Sequence, residues 1–202
     1  MLSMQKGFTL VEILVSVALF SLVMVVALGA LLTLSTATRK ATSINTAVDT
    51  LGAAVESMTR TMRTGLNYDC GLASVVTSPV PVNCASLGAT AIAFHAVDGS
   101  RVSYCLGTTA NVCNAAGTVL LRNVSAGAQA NAWVPLTTPE IKITNLRFYV
   151  EGACSAGGIS GCTPDTVQPK VIILLSGTYQ VTTNQTTEFH IQTTVTQRLY
   201  DQ

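Results

Sequence analysis

Apolar positions divide the chain into three stretches of different period. From Phe8 to Leu34 nearly every residue is apolar or small, and Glu12 is the sole charge. At 1.5 Å per helical residue this run is about the length needed to cross a ~30 Å hydrocarbon core. Farther on, apolar residues recur at spacings of four and three: Ile44, Val48, Leu51, Val55, Met58, Met62 and Leu66. Arg39, Lys40, Asp49, Glu56, Arg60 and Arg63 fall elsewhere. This is the period of an amphipathic helix with one stripe against a folded domain. Gly65 is expected to cap it before a loop opening at Asn67. A continuous helix from Phe8 to Thr64 would be about 85 Å long at 1.5 Å per residue. A coiled coil is the rival reading of the stripe, but the repeat is short and includes two methionines, so packing on the chain's own domain is preferred.

Past residue 70 the period shifts toward two. Ala91–Val97 and Arg101–Leu106 flank Asp98-Gly99-Ser100, the pattern of a hairpin. Further strands are predicted at Thr118–Val124, Ile141–Val150, Val171–Val181 and Glu188–Arg198. The last two, separated by polar Thr182–Thr187, predict a carboxy-terminal antiparallel hairpin. In the final strand Phe189, Ile191, Thr193, Val195 and Gln197 share one face. A helix followed by strands fits an α+β fold, with the helix packed on an antiparallel β-sheet domain.

The whole chain has 202 residues, 11 basic against 10 acidic, for a net charge of +1. That balance offers no long-range attraction for nucleic acid or an anionic membrane. Six cysteines, Cys70, Cys84, Cys105, Cys113, Cys154 and Cys162, all lie beyond the apolar segment. An even count so placed predicts disulfides in an oxidising compartment. The spacing suggests three local pairs, Cys70–Cys84, Cys105–Cys113 and Cys154–Cys162, although sequence alone does not fix the connectivity. Zinc is the rival reading. It lacks a C-x-x-C pair, and His95 and His190 have no ligand beside them at metal spacing, so neither a metal nor a cofactor is expected.

Glu12 poses the chemical question. A charge near the middle of a membrane helix costs roughly 3 kcal/mol on the lenient insertion scale, so something must compensate for it. The short flank before the run carries Lys6, which predicts a cytoplasmic amino terminus and an exported remainder. A secretory signal would be cut after its apolar region, and Ala27-Leu28-Gly29 before Ala30 offers a small-x-small site. The apolar run nevertheless continues through Leu31, Leu32 and Leu34.

Lys6-Gly7-Phe8-Thr9-Leu10-Val11-Glu12 resembles the processing motif of type IV prepilins and type II secretion pseudopilins. The resemblance implies cleavage by a prepilin peptidase after Gly7 and N-methylation of Phe8. It makes residues 1–7 a leader, with either Met1 or Met4 as the start, and Glu12 the family's acid five places into the mature chain. It also implies a helix over residues 8–66, spanning the membrane at about 8–34, and an extracytoplasmic disulfide-containing β-rich domain over 67–202. Met58–Gly65 followed by Asn67-Tyr68, and the closing Gln192–Arg198, are similar to W-type minor pilins and J-type pseudopilins. The implied role is that of a structural subunit, first a single-pass bacterial membrane protein and then part of an extracytoplasmic filament. Its implied partners are prepilin peptidase, other pilins or pseudopilins, and an inner-membrane assembly platform driven by a cytoplasmic ATPase.

Cleavage would create an amine on Phe8 that needs an opposite charge when buried. Glu12 can supply it to its own chain or to a neighbouring subunit, and it can also interact with the helix dipole. Gly29, inside the apolar half, permits either local flexibility or close helix packing. Two other classes remain: a membrane-anchored or secreted binding protein with an ordinary signal or anchor, and an extracytoplasmic enzyme. The second lacks a nucleophile motif or acidic cluster of catalytic or calcium-binding spacing. Asn123-Val124-Ser125 and Asn184-Gln185-Thr186 match the glycosylation sequon.

Overall fold

The computed structural model describes residues 7–71, 81–84, 86–125, 133–154, 166–182 and 185–198. One helix, α1, runs from Leu10 to Arg63. Eight strands follow: β1 (Leu66–Cys70), β2 (Ala91–His95), β3 (Arg101–Gly107), β4 (Val119–Ser125), β5 (Val134–Pro135), β6 (Ile141–Glu151), β7 (Lys170–Thr182) and β8 (Gln185–Thr196). The fold is α+β, as the pattern predicts, but the strands form two sheets. The first has the order β1-β2-β3-β4-β5 and the second β6-β7-β8, with every pairing antiparallel. The chain divides into two compact units, Met1–Ser43 and Ile44–Gln202.

In the first unit the helix is bare. Its large side chains between Leu10 and Leu34 are exposed, and no stripe is distinguished from the rest. Several of its hydroxyls are satisfied within the helix: Ser16, Ser21, Thr33 and Thr38 each donate to the carbonyl four residues back, at 2.6–2.8 Å. Such back-bonding lets small polar residues sit in an apolar stretch without unsatisfied donors.

In the second unit the rest of α1 buries Ala47, Leu51, Ala54, Met58, Thr59 and Met62. The stripe is rotated from the expected one: Val48 is exposed and Val55 half-buried, whereas Ala47 and Ala54 take inward positions. Of the buried helix residues, Leu51, Ala54, Met58 and Met62 join Tyr68, Phe94, Tyr104, Leu120, Phe148 and Ile173 in one core.

Several boundaries differ from expectation, for local reasons. Leu66 leaves the helix and opens β1, which replaces the loop expected at Asn67–Cys70. Gly65 donates its N–H to the Met62 carbonyl at 2.9 Å, but the left-handed residue of this corner is Asn67, with φ 56°. Gly65 is instead required by close approach, because a Cβ there would stand 2.5 Å from the Phe94 ring. β6 contains a bulge between Ile143 and Asn145. Its buried residues run Ile141, Ile143, then Leu146, Phe148 and Val150. The one-residue slip keeps both halves facing the core.

The hairpin expected at Asp98-Gly99-Ser100 is present, with His95 opposite Arg101. Gly99 adopts φ 80°. Asp98 Oδ1 accepts from the Ser100 N–H at 2.9 Å and from its hydroxyl at 2.6 Å. The Ser100 hydroxyl, and then its N–H, hold the Asp98 carboxyl below its ordinary value. The carboxy-terminal hairpin is tighter than expected, with strand pairing reaching Thr182 and Gln185.

Disulfides join Cys70 to Cys84 and Cys105 to Cys113. Cys154 is also disulfide-bonded, and Cys162, its expected partner, lies outside the described residues.

The end of α1 is fastened from two sides. The Tyr68 hydroxyl donates to the carbonyls of Met62 and, at 3.1 Å, Gly65. The Arg198 N–H donates to the Arg63 carbonyl at 2.8 Å. The Arg63 carbonyl is one that a helix end leaves without an internal partner, while the Met62 carbonyl accepts from Tyr68 in addition to Gly65. Burial pushes the Tyr68 phenol above its ordinary value. Burial also raises Tyr104, against smaller opposing effects of neighbouring Thr61 and Arg122.

Candidate functional site

The residues singled out at the amino terminus fall within the first turn of α1 and just before it. The helix begins because Thr9 caps it. The Ile13 N–H donates to the Thr9 carbonyl at 3.3 Å, and the Glu12 N–H donates to the Thr9 hydroxyl at 3.3 Å. A Thr side chain accepting from the third helical residue is an N-cap. Leu10, Val11 and Glu12 are then the first three helical residues, Phe8 precedes the cap, and Gly7 precedes Phe8. Sequence reasoning missed this role of Thr9, although its signal was present: Thr9-x-x-Glu12 ahead of an apolar run is the capping-box pattern.

Only half of that box is made. The backbone of Glu12 is held twice, by Thr9 on its N–H and by the Ser16 hydroxyl on its carbonyl at 2.7 Å. Its carboxylate has no partner among the described residues. It therefore stands exposed on the first turn, where the helix macrodipole favours a negative charge. Phe8 is 79% exposed, and space around Gly7 is open, with no atom near an added Cβ. The Gly7–Phe8 peptide thus lies outside the helix on an accessible segment. The Phe8 nitrogen is a peptide nitrogen in the full-length chain, so an amine appears there only if that bond is cut.

The apolar half of α1 supplies a helix long and apolar enough to cross a membrane by length and composition. Among the described residues nothing covers that part of the helix. Soluble monomers rarely expose so continuous an apolar surface, so it calls for lipid or other chains.

The remaining candidates lie elsewhere and do not converge. The disulfides belong to the second unit, where they tie β1 and β3 to neighbouring loops. His95 stands opposite Arg101 in the first sheet. His190 stands opposite Ser176 in the second, with 3.0 Å between Nδ1 and the hydroxyl. The two histidines therefore occupy different sheets rather than meeting across one. No group of three or more His, Cys, Asp or Glu among the described residues is placed to hold a metal. Trp133 is half-buried and packs on Ala91, Cys105 and Leu121. Asn123, of the first sequon, is a buried residue of β4. Asn184, of the second sequon, lies outside the described residues.

Residues 2–28 match the prokaryotic N-terminal methylation motif. The chain has a prepilin-type start. The match ends inside the apolar half of α1 and includes Gly7, Phe8, Thr9 and Glu12. It supports a type IV prepilin-like precursor, fits anchoring in a membrane, and suggests a structural rather than enzymatic protein. No curated protein and no solved structure matches the chain.

Proposed function

We propose that this protein is a minor pilin or pseudopilin of the group containing W-type minor pilins and J-type pseudopilins, a structural subunit of a type IV pilus or type II secretion pseudopilus. The observation that carries the reading is the conjunction at the start of α1: a methylation motif, an exposed Gly7–Phe8 peptide, an unpartnered Glu12 carboxylate and an uncovered apolar helix. Prepilin peptidase removes residues 1–7, the leader, and methylates the new amine on Phe8. The protein first waits as a single-span bacterial membrane protein with its amino terminus cytoplasmic and residues 67–202 outside. The assembly platform then transfers residues 8–34 from lipid to a bundle of neighbouring helices.

That transfer exchanges one apolar surrounding for another, so little hydrophobic free energy is at stake. Charge is the difficult part. The Phe8 amine and the Glu12 carboxylate must be neutralised together when water is excluded, because an unpaired buried charge is strongly unfavourable. Pairing within one chain would satisfy both groups but carry no information about position. Pairing between chains fixes the axial stagger between subunits, and the unpartnered carboxylate of the isolated chain suits that role.

The test is to sequence the mature amino terminus and then assay Glu12→Gln. A mature chain beginning at N-methylated Phe8 is expected; a start at Ala30 or an intact Met1 would overturn the reading. Glu12→Gln should insert and be cleaved as wild type but enter filaments poorly. Normal incorporation would remove the pairing argument.

A further inference from the structure

The two sheets have four edges, and three are closed in different ways. Beyond β1, the Val82 N–H donates to the Tyr68 carbonyl at 3.0 Å, and Cys84 is tied to Cys70. The outer side of β6 exchanges two hydrogen bonds with Ala89, at 2.8 and 2.9 Å, and its carbonyl at Val150 accepts from the Cys84 N–H at 3.1 Å. β5 is only two residues long and ends in Pro135; shortness and proline both blunt a strand edge.

β8 has none of these protections. It is 12 residues long and paired to β7 from Thr196 opposite Lys170 to Gln185 opposite Thr182. It contains no Lys, Arg or Pro, and no described residue hydrogen-bonds to its far side. Every second residue of an antiparallel strand turns its N–H and C=O away from its partner, so β8 presents a long row of backbone groups that no described residue pairs with. We propose that β8 is a docking edge for an extended segment of a different subunit, which adds a fourth strand to the second sheet.

The side chains constrain that segment. On the core side, Val195 is buried while Thr187, Phe189, Ile191 and Thr193 are half-buried, so the apolar floor stops short at the edge. On the other side Thr186, Glu188, His190, Gln192, Thr194 and Thr196 are exposed. A strand continuing the sheet therefore alternates apolar and polar residues with period two. Glu188 is the sole formal charge on β8, which favours a Lys or Arg in the polar row opposite it.

A second copy of this chain is disfavoured on geometric grounds. Its other edges are closed or too short to accept β8. Pairing β8 with β8 about a two-fold axis would make a closed, isologous dimer, opposed to the one-way packing proposed for α1. The exclusion of that dimer rests on the assembly reading above; the open edge does not.

The test uses the full chain in its native envelope. A photo-reactive phenylalanine analogue is placed at Gln192 or Thr194 on β8, at Val97 in the β2–β3 turn as a control, and at Leu19 to report helix assembly. Cross-links from both β8 sites, but not Val97, to one period-two segment of another subunit are expected. Amides of β8 should also exchange at least about tenfold more slowly in the assembly than in detergent micelles, the factor of about one net hydrogen bond. Cross-links only to copies of this chain, or from Val97 equally, would overturn the proposal, as would unchanged β8 exchange. Leu19 cross-links without β8 cross-links would sink the docking edge while leaving the assembly reading intact. β8 cross-links without Leu19 cross-links would do the reverse.

Discussion

The two parts of α1 share one backbone but solve the burial problem in opposite ways. Around Met58 and Met62, apolar side chains enter a core made by the same chain, and both are wholly buried. Around Leu19 and Val23, comparable side chains are more than 60% exposed. Nothing in helix propensity separates the two parts, since leucine, methionine and alanine serve in both. The difference lies in what the sequence supplies to cover them. The packed part concentrates its apolar residues on one stripe, while the bare part is apolar all round and requires a surrounding that the chain lacks.

The sharpest way to break this contrast is substitution at matched positions. Met58→Ala should destabilise the second unit by about 2–5 kcal/mol, the usual cost of emptying a packed core site. Leu19→Ala, which removes a similar volume from the bare part, should leave the thermal midpoint of that unit unchanged in detergent. Equal effects would mean that the bare part also contributes to the fold of the domain.

Next in size is the Cys70–Cys84 bridge, which closes a loop of 14 residues. Replacing both cysteines by serine should cost about 3 kcal/mol on the chain-entropy scale for a loop of roughly this length, measured as a lower midpoint in urea. The proposed cleavage after Gly7 should be unaffected in that variant, since the bridge lies in the second unit.

Alkaline pH should loosen the packed part selectively. Tyr68 and Tyr104 both have folded-state pKa values raised above 10.0 by burial. Unfolded tyrosines release their protons first, so stability is full below pH 10 and falls as pH rises above it. A thermal midpoint dropping above pH 10 checks this. The drop should be shallower in Tyr68→Phe, although that variant begins less stable because the buried hydroxyl's hydrogen bonds to Met62 and Gly65 are lost.

The smallest effect concerns the helix start. Thr9→Val should weaken the first turn by about 1 kcal/mol, the typical cost of losing an N-cap, and Thr9→Ser should retain most of it. The Glu12 amide resonance in micelles reports the lost hydrogen bond. An unchanged resonance in the valine variant would remove Thr9 from its capping role.

Much of this organisation is legible in the sequence because it is periodic. The all-round apolar run, the four-three stripe and the alternation in β2, β3 and β8 announce their elements directly. What escapes is set by contacts between distant segments. Ala47 is buried and Val48 exposed, because which face of the helix turns inward depends on the domain it packs against, and no single-helix pattern contains that. β1 was hidden because Leu66–Cys70 is short and polar, and its strand character comes from pairing with β2. The slip in β6 was visible in principle, since Ile143 and Leu146 are out of phase for a regular strand. At the amino terminus the motif points to Gly7, Phe8 and Glu12, while the cap at Thr9 is legible only from the Thr9-x-x-Glu12 spacing, in which Glu12 also serves as the charge.

The fastening at the end of α1 has a mechanical consequence. A subunit held in place by its helix would receive tension at Arg63 and pass it into the sheets. Tyr68 and Arg198 grip the neighbouring residues Met62 and Arg63 from β1 and from the residues following β8, so the load divides between two routes that act in parallel. One route enters each sheet, and neither hairpin has to unzip for the other to hold.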